Sequence, residues 1–476
     1  MLLLPFFKVN QGYFYQYFAT LAGAFSVLSS GINLGWTSPF LPELLSPNST
    51  IPTTTDEGSW CAVAPLLGAP PGAIIAAVLV DRLGRKTTTL LMAPWVSLCF
   101  IGIAFSYNIW QIFGLRFFIG SVEGALYTVL PMYVGEISDP KIRDFLSSTI
   151  IIAGITGTLF INIIGSFFDI YTSSLICSVI PLIHMLMFSF VPESPYYFIK
   201  KGNLVEAKKS LQILRGKFDV DQELDSIVKA VVRQERTKNQ AGLLDIFTIK
   251  SNRKACIIFV IVCMTNKFSG KNPCMFYTEM IFREAGSKID ATLSVILYCS
   301  VELVAVAITT FFIVHKFGKR KLLITSALGC SIAVLVLAIF FFLKDFGIDT
   351  DVVFWLPITA LVSYNIMFSV GLSFGMVTVL CELFPTNIKA KALCIADTYS
   401  VLMGAIVSKI FQISVDVAGS MSYPFLFFSS CTLVGFVLIV KYMPETKGKS
   451  LEEIQQLLIG QAQYSSELTV GHNSFI

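Results

Sequence analysis

Residues 81–86 read DRLGRK and residues 315–321 read HKFGKRK. Each basic stretch closes one long apolar run and opens the next, so the same junction occurs twice in the chain. Two further junctions repeat with it. Glu136 precedes Arg143 by seven residues, as Glu382 precedes Lys389, and PESP at 192–195 is echoed by PETKGK at 444–449. A chain whose two halves repeat each other's punctuation predicts two related bundles, which is the plan of a transporter rather than of a channel or receptor.

Composition agrees. Of 476 residues, 54 % are hydrophobic and 14 % charged, where a soluble protein would carry about a quarter charged residues. Apolar runs long enough to cross about 30 Å of hydrocarbon fall near 14–40, 58–80, 87–106, 110–135, 146–168 and 174–191. A second set falls near 255–282, 291–314, 322–343, 354–383, 392–415 and 423–442. The expected fold class is therefore an all-α membrane protein of twelve transmembrane helices in two six-helix bundles. The expected divisions are 1–191 for the first bundle, 192–253 for a cytoplasmic linker, 254–443 for the second bundle and 444–476 for a tail. In the linker, Leu204, Ala207, Leu211 and Leu214, then Leu224, Ile227 and Val231, share helical faces. That spacing predicts short amphipathic helices under the membrane domain.

Basic residues set the expected orientation. The 192–253 stretch and the junctions holding Arg82, Arg85, Lys141, Arg143, Lys316, Lys319, Arg320 and Lys389 lie on one side; Arg283, Lys288 and Lys344 lie on the other. Positive residues favour the cytoplasm, so both termini are expected there. Asn48, in the sequon Asn48-Ser49-Thr50, then falls in the first outer loop as a candidate glycosylation site. The eleven cysteines show no metal spacing and sit mostly in apolar runs, where they read as small hydrophobes. The residues after Met1 lack the basic region of a cleavable signal peptide.

One stretch resists this reading. NKFSGKNPCMFY, 266–277, puts Lys267 and Lys271 inside an apolar run, and a lysine at the bilayer centre costs roughly 2.5–3.5 kcal/mol on insertion scales. Glu302 is an acid of the following span; a Lys267–Glu302 pair would neutralise both, while Lys271, nearer the outer face, would snorkel outward.

Together DRLGRK, GLRFFIGSVEGALYTVLPMYVGE, VPESP and PETKGKSLEE resemble the sugar porters of the major facilitator superfamily, from about Ala22 to Ile454. GINLGWTSPFLPEL and ELFPTNIKAKAL look most like the insect facilitated trehalose transporter group. The resemblance implies the major facilitator fold and gating roles for Asp81, Arg82, Arg85, Arg116, Glu136, Arg143, Glu193, Lys316, Lys319, Arg320, Glu382, Lys389 and Glu445. His315 and Asp144 depart from the family pattern at these junctions.

Sugars need neutral hydrogen-bonding groups and an aromatic face. The expected substrate-binding set is Asn162, Asn266, Lys267, Asn272, Phe276, Tyr277 and Thr37, with Gly270 and Pro273 expected to break the helix that carries most of it. Asn272 matches the family's QQxxGxN asparagine. Asn266 and Asn162 stand for glutamines, Lys267 replaces the second glutamine, and Val377 stands at the family's tryptophan position with Phe374 and Met376 in place of its prolines.

Proton-coupled members carry an aspartate in the first span facing the fourth-span arginine; Arg116 is present here, but Thr37 occupies that position. The expected activity is facilitative uniport of a sugar, trehalose or a hexose. Proton coupling through Glu123 or Glu302, selectivity for anions through the lysines, and a transport-deficient sugar sensor remain open alternatives. Nothing in the sequence points to an enzyme, a cofactor, a metal, nucleic acid or an obligate protein partner; the expected partners are a small-molecule sugar and membrane lipid.

Overall fold

The computed structural model describes residues 13–238, 248–286, 290–313, 316–384, 386–447, 449 and 451–459, nearly all helical. In chain order the helices are α1 (Phe14–Gly35), α2 (Thr37–Leu44), α3 (Thr55–Leu83), α4 (Arg85–Ala104), α5 (Ile109–Ile137), α6 (Arg143–Phe167) and α7 (Ile170–Ser189). Three shorter helices follow, α8 (Pro195–Lys200), α9 (Leu204–Arg215) and α10 (Asp221–Lys238). Then come α11 (Lys250–Phe268), α12 (Lys271–Phe276), α13 (Thr278–Ala285), α14 (Ala291–Ile308) and α15 (Lys319–Asp345). The chain ends with α16 (Leu356–Val370), α17 (Leu372–Leu383), α18 (Thr386–Ala418), α19 (Ser422–Tyr442) and α20 (Leu451–Ile459).

Local chemistry sets these boundaries. Thr54 and Glu57 form a reciprocal capping box at the start of α3, each accepting from the other's backbone N–H, which satisfies donors the first turn leaves free. Asn108 and Asp169 cap α5 and α7 with single side-chain bonds, accepting from the N–H groups of Trp110 and Thr172. Gly84, at φ +95°, turns the chain between α3 and α4, a conformation that glycine adopts without steric cost.

Among the described residues, eleven helical stretches are long and apolar enough to cross a membrane, against twelve expected spans. The missing one is the expected 255–282 span, which is divided into α11, α12 and α13. Gly270 makes the first break at φ +88°, with the Phe428 ring so near that a Cβ would lie 2.8 Å from it. Pro273 does not break the chain. It sits in the first turn of α12, where no intrahelical donor is lost, and the second break falls at Tyr277. The tenth expected span, 354–383, is likewise two helices, α16 and α17, meeting at Gly371.

Two compact units result. The first holds the described residues up to Gln234 with Cys274–Glu284 and those of 289–303; the second holds the remainder. In the first unit α1 packs on α6, α3 on α5 and α4 on α7. The α3–α5 seam is built on glycine: a Cβ on Gly68 or Gly72 would lie 2.0 or 1.6 Å from the carbonyl oxygen of Phe117 or Ser121, and one on Gly120 or Gly124 would strike Pro65 or Ala69. Without a hydrophobic drive between helices in lipid, such backbone approach supplies the packing energy. In the second unit α15 packs against α16 and α19, and α11 against α17 and α19.

The short helices α8 and α9, and α10 up to Gln234, belong to the first unit. Ala207, Leu211, Val220, Leu224, Ile227 and Val231 form their small core. Leu204, expected on that face, is instead half-exposed because it opens α9, and Leu214 turns into the bundle core beside Val134 and Ile137. Arg215 ties the layer down, forming a bidentate pair with Glu223 while donating to the Ile137 carbonyl at 2.8 Å.

Candidate functional site

The repeated junctions become two matching constructions, one in each unit. In the first, Arg85 donates to Glu136 at 2.7 Å with its side chain only 2 % exposed. The second Glu136 oxygen accepts from the Ser194 hydroxyl. Glu193 accepts from the backbone N–H groups of Arg85, Lys86 and Ser194 at 2.9–3.1 Å, placing a carboxylate at the positive N-terminus of α4. Its oxygen lies so near Gly84 that a Cβ there would meet it at 2.3 Å.

In the second unit Lys319 pairs with Glu382. Glu445 accepts from the N–H groups of Thr446 and Lys447 and lies against Gly318, where a Cβ would be 2.6 Å from its oxygen. Glu445 is thus the counterpart of Glu193, at the start of α15.

The other expected gating charges take lesser places. Asp81 pairs with Lys200 at 3.5 Å on the surface, worth about 0.2–1 kcal/mol. Arg143 donates to the Ser138 carbonyl and Arg320 to the Val440 carbonyl. Arg82 and Lys316 contribute carbonyls, which accept from Tyr197 and Lys447. Asp144 lies in the first turn of α6. The side chains of Lys389 and Val377, and the whole of His315, lie outside the described residues.

Arg116 is not at a junction. It lies in the middle of α5, fully buried, and its guanidinium donates its hydrogen bonds to neutral groups. It donates to Asn33 Oδ1 (3.3 Å), the Asn33 carbonyl (2.6 Å), Thr37 Oγ1 (2.8 Å) and the Cys61 carbonyl (2.8 Å). The Trp36 ring covers it at 4.8 Å. Thr37, expected in the sugar-binding set, is used here as an acceptor for arginine. Glu123, two turns along α5, is also buried, with Oε1 meeting no hydrogen-bond donor among the described residues.

The stretch 266–277 is placed in detail. Asn266 donates to the Leu372 carbonyl at 2.8 Å, across the α16–α17 break, and the Ser269 hydroxyl meets both the Asn266 carbonyl and Tyr364 Oη. Lys271 does not snorkel outward. It donates to Asn365 Oδ1 at 3.2 Å and lies 5.4 Å above the Phe368 ring, so its ammonium is held by groups of α16. Lys267 is half-buried on α11 and Glu302 half-buried on α14. Asn272, Phe276 and Tyr277 are buried. Asn162, on α6, donates to the Thr158 carbonyl at 2.8 Å and points its amide at Cys299 Sγ, while its own Oδ1 meets no donor among the described residues. Asn48 is exposed in the α2–α3 loop, as a glycosylated asparagine must be.

Comparison with known proteins decides what this arrangement belongs to. The family described as "Sugar (and other) transporter" matches residues 18–458. This chain belongs to the sugar transporter family. It is 32 % identical over 465 residues to a facilitated trehalose transporter of Polypedilum vanderplanki, covering 96 % of this chain and 91 % of that one. A facilitated trehalose transporter of Aedes aegypti is also 32 % identical, but this chain spans only 56 % of its length. The inward-open xylose transporter XylE from E. coli superposes with a TM-score of 0.76 at 20 % identity, covering 92 % of this chain and 98 % of that one. The fold is therefore that of the major facilitator superfamily, and the protein is a multi-pass membrane transporter and not an enzyme.

Several groups of this transporter escaped the sequence reading. Asn33, Trp36 and Cys61 surround Arg116, yet a lone asparagine, tryptophan and cysteine in apolar runs carry no spacing signal. Asn365 and Tyr364 face the α11–α12 break from α16. Asp397 was the legible omission: an acid inside the expected 392–415 span is as anomalous as Lys267.

Proposed function

We propose that this transporter carries a neutral sugar, trehalose or a hexose, by facilitative uniport through alternating access in the plasma membrane, with both termini cytoplasmic. The observation that carries the reading is the Arg116 cradle. Thr37 and Asn33 satisfy the guanidinium where a proton-coupled mechanism would need a titratable partner bonded to it, so its hydrogen bonds do not depend on pH. The facilitated trehalose transporters among the relatives support the same choice. The proposed substrate-binding set is Asn162, Lys267, Asn272, Phe276 and Tyr277. Arg85–Glu136 with Glu193, and Lys319–Glu382 with Glu445, stiffen the cytoplasmic end of each bundle so that it moves as one body.

Glu123 favours a second reading, since a buried carboxyl whose Oε1 meets no donor among the described residues is suited to holding a proton. Purified protein in liposomes separates the two. Uptake of labelled trehalose, glucose or fructose is expected to be equal with and without an inward proton gradient, and Glu123→Gln is expected to leave that equality unchanged. Uptake that rises several-fold with the gradient and loses this dependence in Glu123→Gln contradicts uniport.

A further inference from the structure

A buried amide in the first turn of a membrane helix needs partners, and Gln16 finds them on two other elements. It is the third residue of α1 and is fully buried. Its Nε2 donates to the Leu214 carbonyl at 3.0 Å, and its Oε1 accepts from the Asp139 N–H at 2.8 Å. An NH2 must face the carbonyl and an oxygen the N–H, so the chemistry fixes which way the amide points. Leu214 lies in the last turn of α9, where helix carbonyls lack an intrahelical donor. Asp139 opens the turn between α5 and α6, its carbonyl accepting from the N–H groups of Ile142 and Arg143. One amide therefore closes the end of one helix and fixes the turn that starts another.

Other bonds make α9 the common member of this corner. Arg215, next to Leu214, donates to the Ile137 carbonyl at the end of α5 at 2.8 Å. The Ser210 hydroxyl donates to the Glu193 carbonyl, and the Glu193 carboxylate holds the N-terminus of α4. Thus α9 is tied to α4, to α5 and, through Gln16, to α1. The tie to α1 reaches furthest. Asn33, about 26 Å along α1 at 1.5 Å per residue, accepts from Arg116 of α5. Gln16 and Asn33 therefore fasten α1 near its two ends, and Gln16 is the fastening that also holds the short helices.

We propose that Gln16 is a positioning residue for transport: its amide joins α1, α9 and the α5–α6 turn into one body and so sets the rate of the conformational step. This rests on the carrier reading above. Gln16 is enclosed by protein and acts through the elements it joins, not by contact with the solute. Without its amide, the first turn of α1 loses these bonds to α9 and to the Asp139 turn. The three elements must then be brought back into register in every cycle, which slows turnover and leaves solute affinity unchanged.

The test compares wild type with Gln16→Met, whose side chain has similar length and no amide, in proteoliposomes holding equal amounts of monodisperse protein. Equilibrium exchange of labelled trehalose or glucose reads maximal rate and half-saturation together. The variant is expected to run about tenfold more slowly, the scale of two lost hydrogen bonds, with half-saturation within about twofold of wild type. A purely structural loss lowers the yield of monodisperse protein and not the rate of each carrier. Amide hydrogen exchange of the same protein is expected to quicken at Asp139 and over 204–215. An unchanged maximal rate, or a half-saturation that shifts as much as the rate, overturns the proposal. If Gln16→Met gives no monodisperse protein, Gln16→Glu, which keeps an acceptor for the Asp139 N–H, is read by the same criteria.

Failure of the sugar-transport reading shows in wild type, which then carries no neutral sugar. Hydrogen exchange then decides alone. Faster exchange at both places in the variant supports the tie, and unchanged exchange overturns it.

Discussion

Gly72→Val is expected to eliminate the folded protein, while Gly114→Ala leaves it intact. Both glycines lie in membrane helices of the first unit, and they differ in what stands beside them. A Cβ on Gly72 would lie 1.6 Å from the Ser121 carbonyl oxygen, a backbone atom that no rotamer change can move. One on Gly114 would meet nothing within 4 Å. Valine at 72 must push α3 away from α5 along the seam that Gly68, Gly120 and Gly124 also occupy. Overpacking costs about 1–3 kcal/mol where side chains can yield, and here they cannot, so the loss should exceed that range. Size-exclusion chromatography of detergent-extracted protein reads the outcome: a monodisperse peak for Gly114→Ala and none for Gly72→Val.

Arg116→Ala should be nearly as damaging. The guanidinium satisfies two groups of Asn33, the Thr37 hydroxyl and the Cys61 carbonyl, so its removal strands several buried acceptors at once and leaves Glu123 without the nearby cation. Breaking a buried charge arrangement from one side typically costs about 3–5 kcal/mol. Arg116→Lys keeps the charge but loses the planar fork that reaches Asn33 and Cys61 together. It should fold with a lowered melting temperature and reduced sugar flux. Thr37→Val removes one acceptor of several and should cost least. Thermal unfolding in detergent orders the three as Ala worst, then Lys, then Val; equal stability of Arg116→Ala and wild type would contradict the cradle.

What was legible in the sequence was whatever repeats or stands out chemically against an apolar background. DRLGRK and HKFGKRK, with the doubled Glu-to-basic spacing, marked the two junctions, but Glu136 takes Arg85 and Glu382 takes Lys319 rather than the basic residues seven positions on. Of the two expected breakers in the stretch, Gly270 does break the helix, at φ +88°, and Pro273 does not. Partner identity was not legible. Lys271 takes Asn365 because α16 lies beside α12, and adjacency between residues 94 apart in the chain leaves no trace in local spacing. The expected interior roles of Thr37 and Asn266 changed likewise once Arg116 and the Leu372 carbonyl claimed them.

Counterflow tests the central claim most directly. Proteoliposomes loaded with unlabelled trehalose or glucose and diluted into a trace of the labelled sugar should accumulate label transiently above its outside concentration, with no proton gradient or other energy source. That overshoot requires one site exposed alternately to the two sides, and it is the result expected here. Uptake that rises only to equilibrium, or binding of label without any flux, would contradict a facilitative carrier.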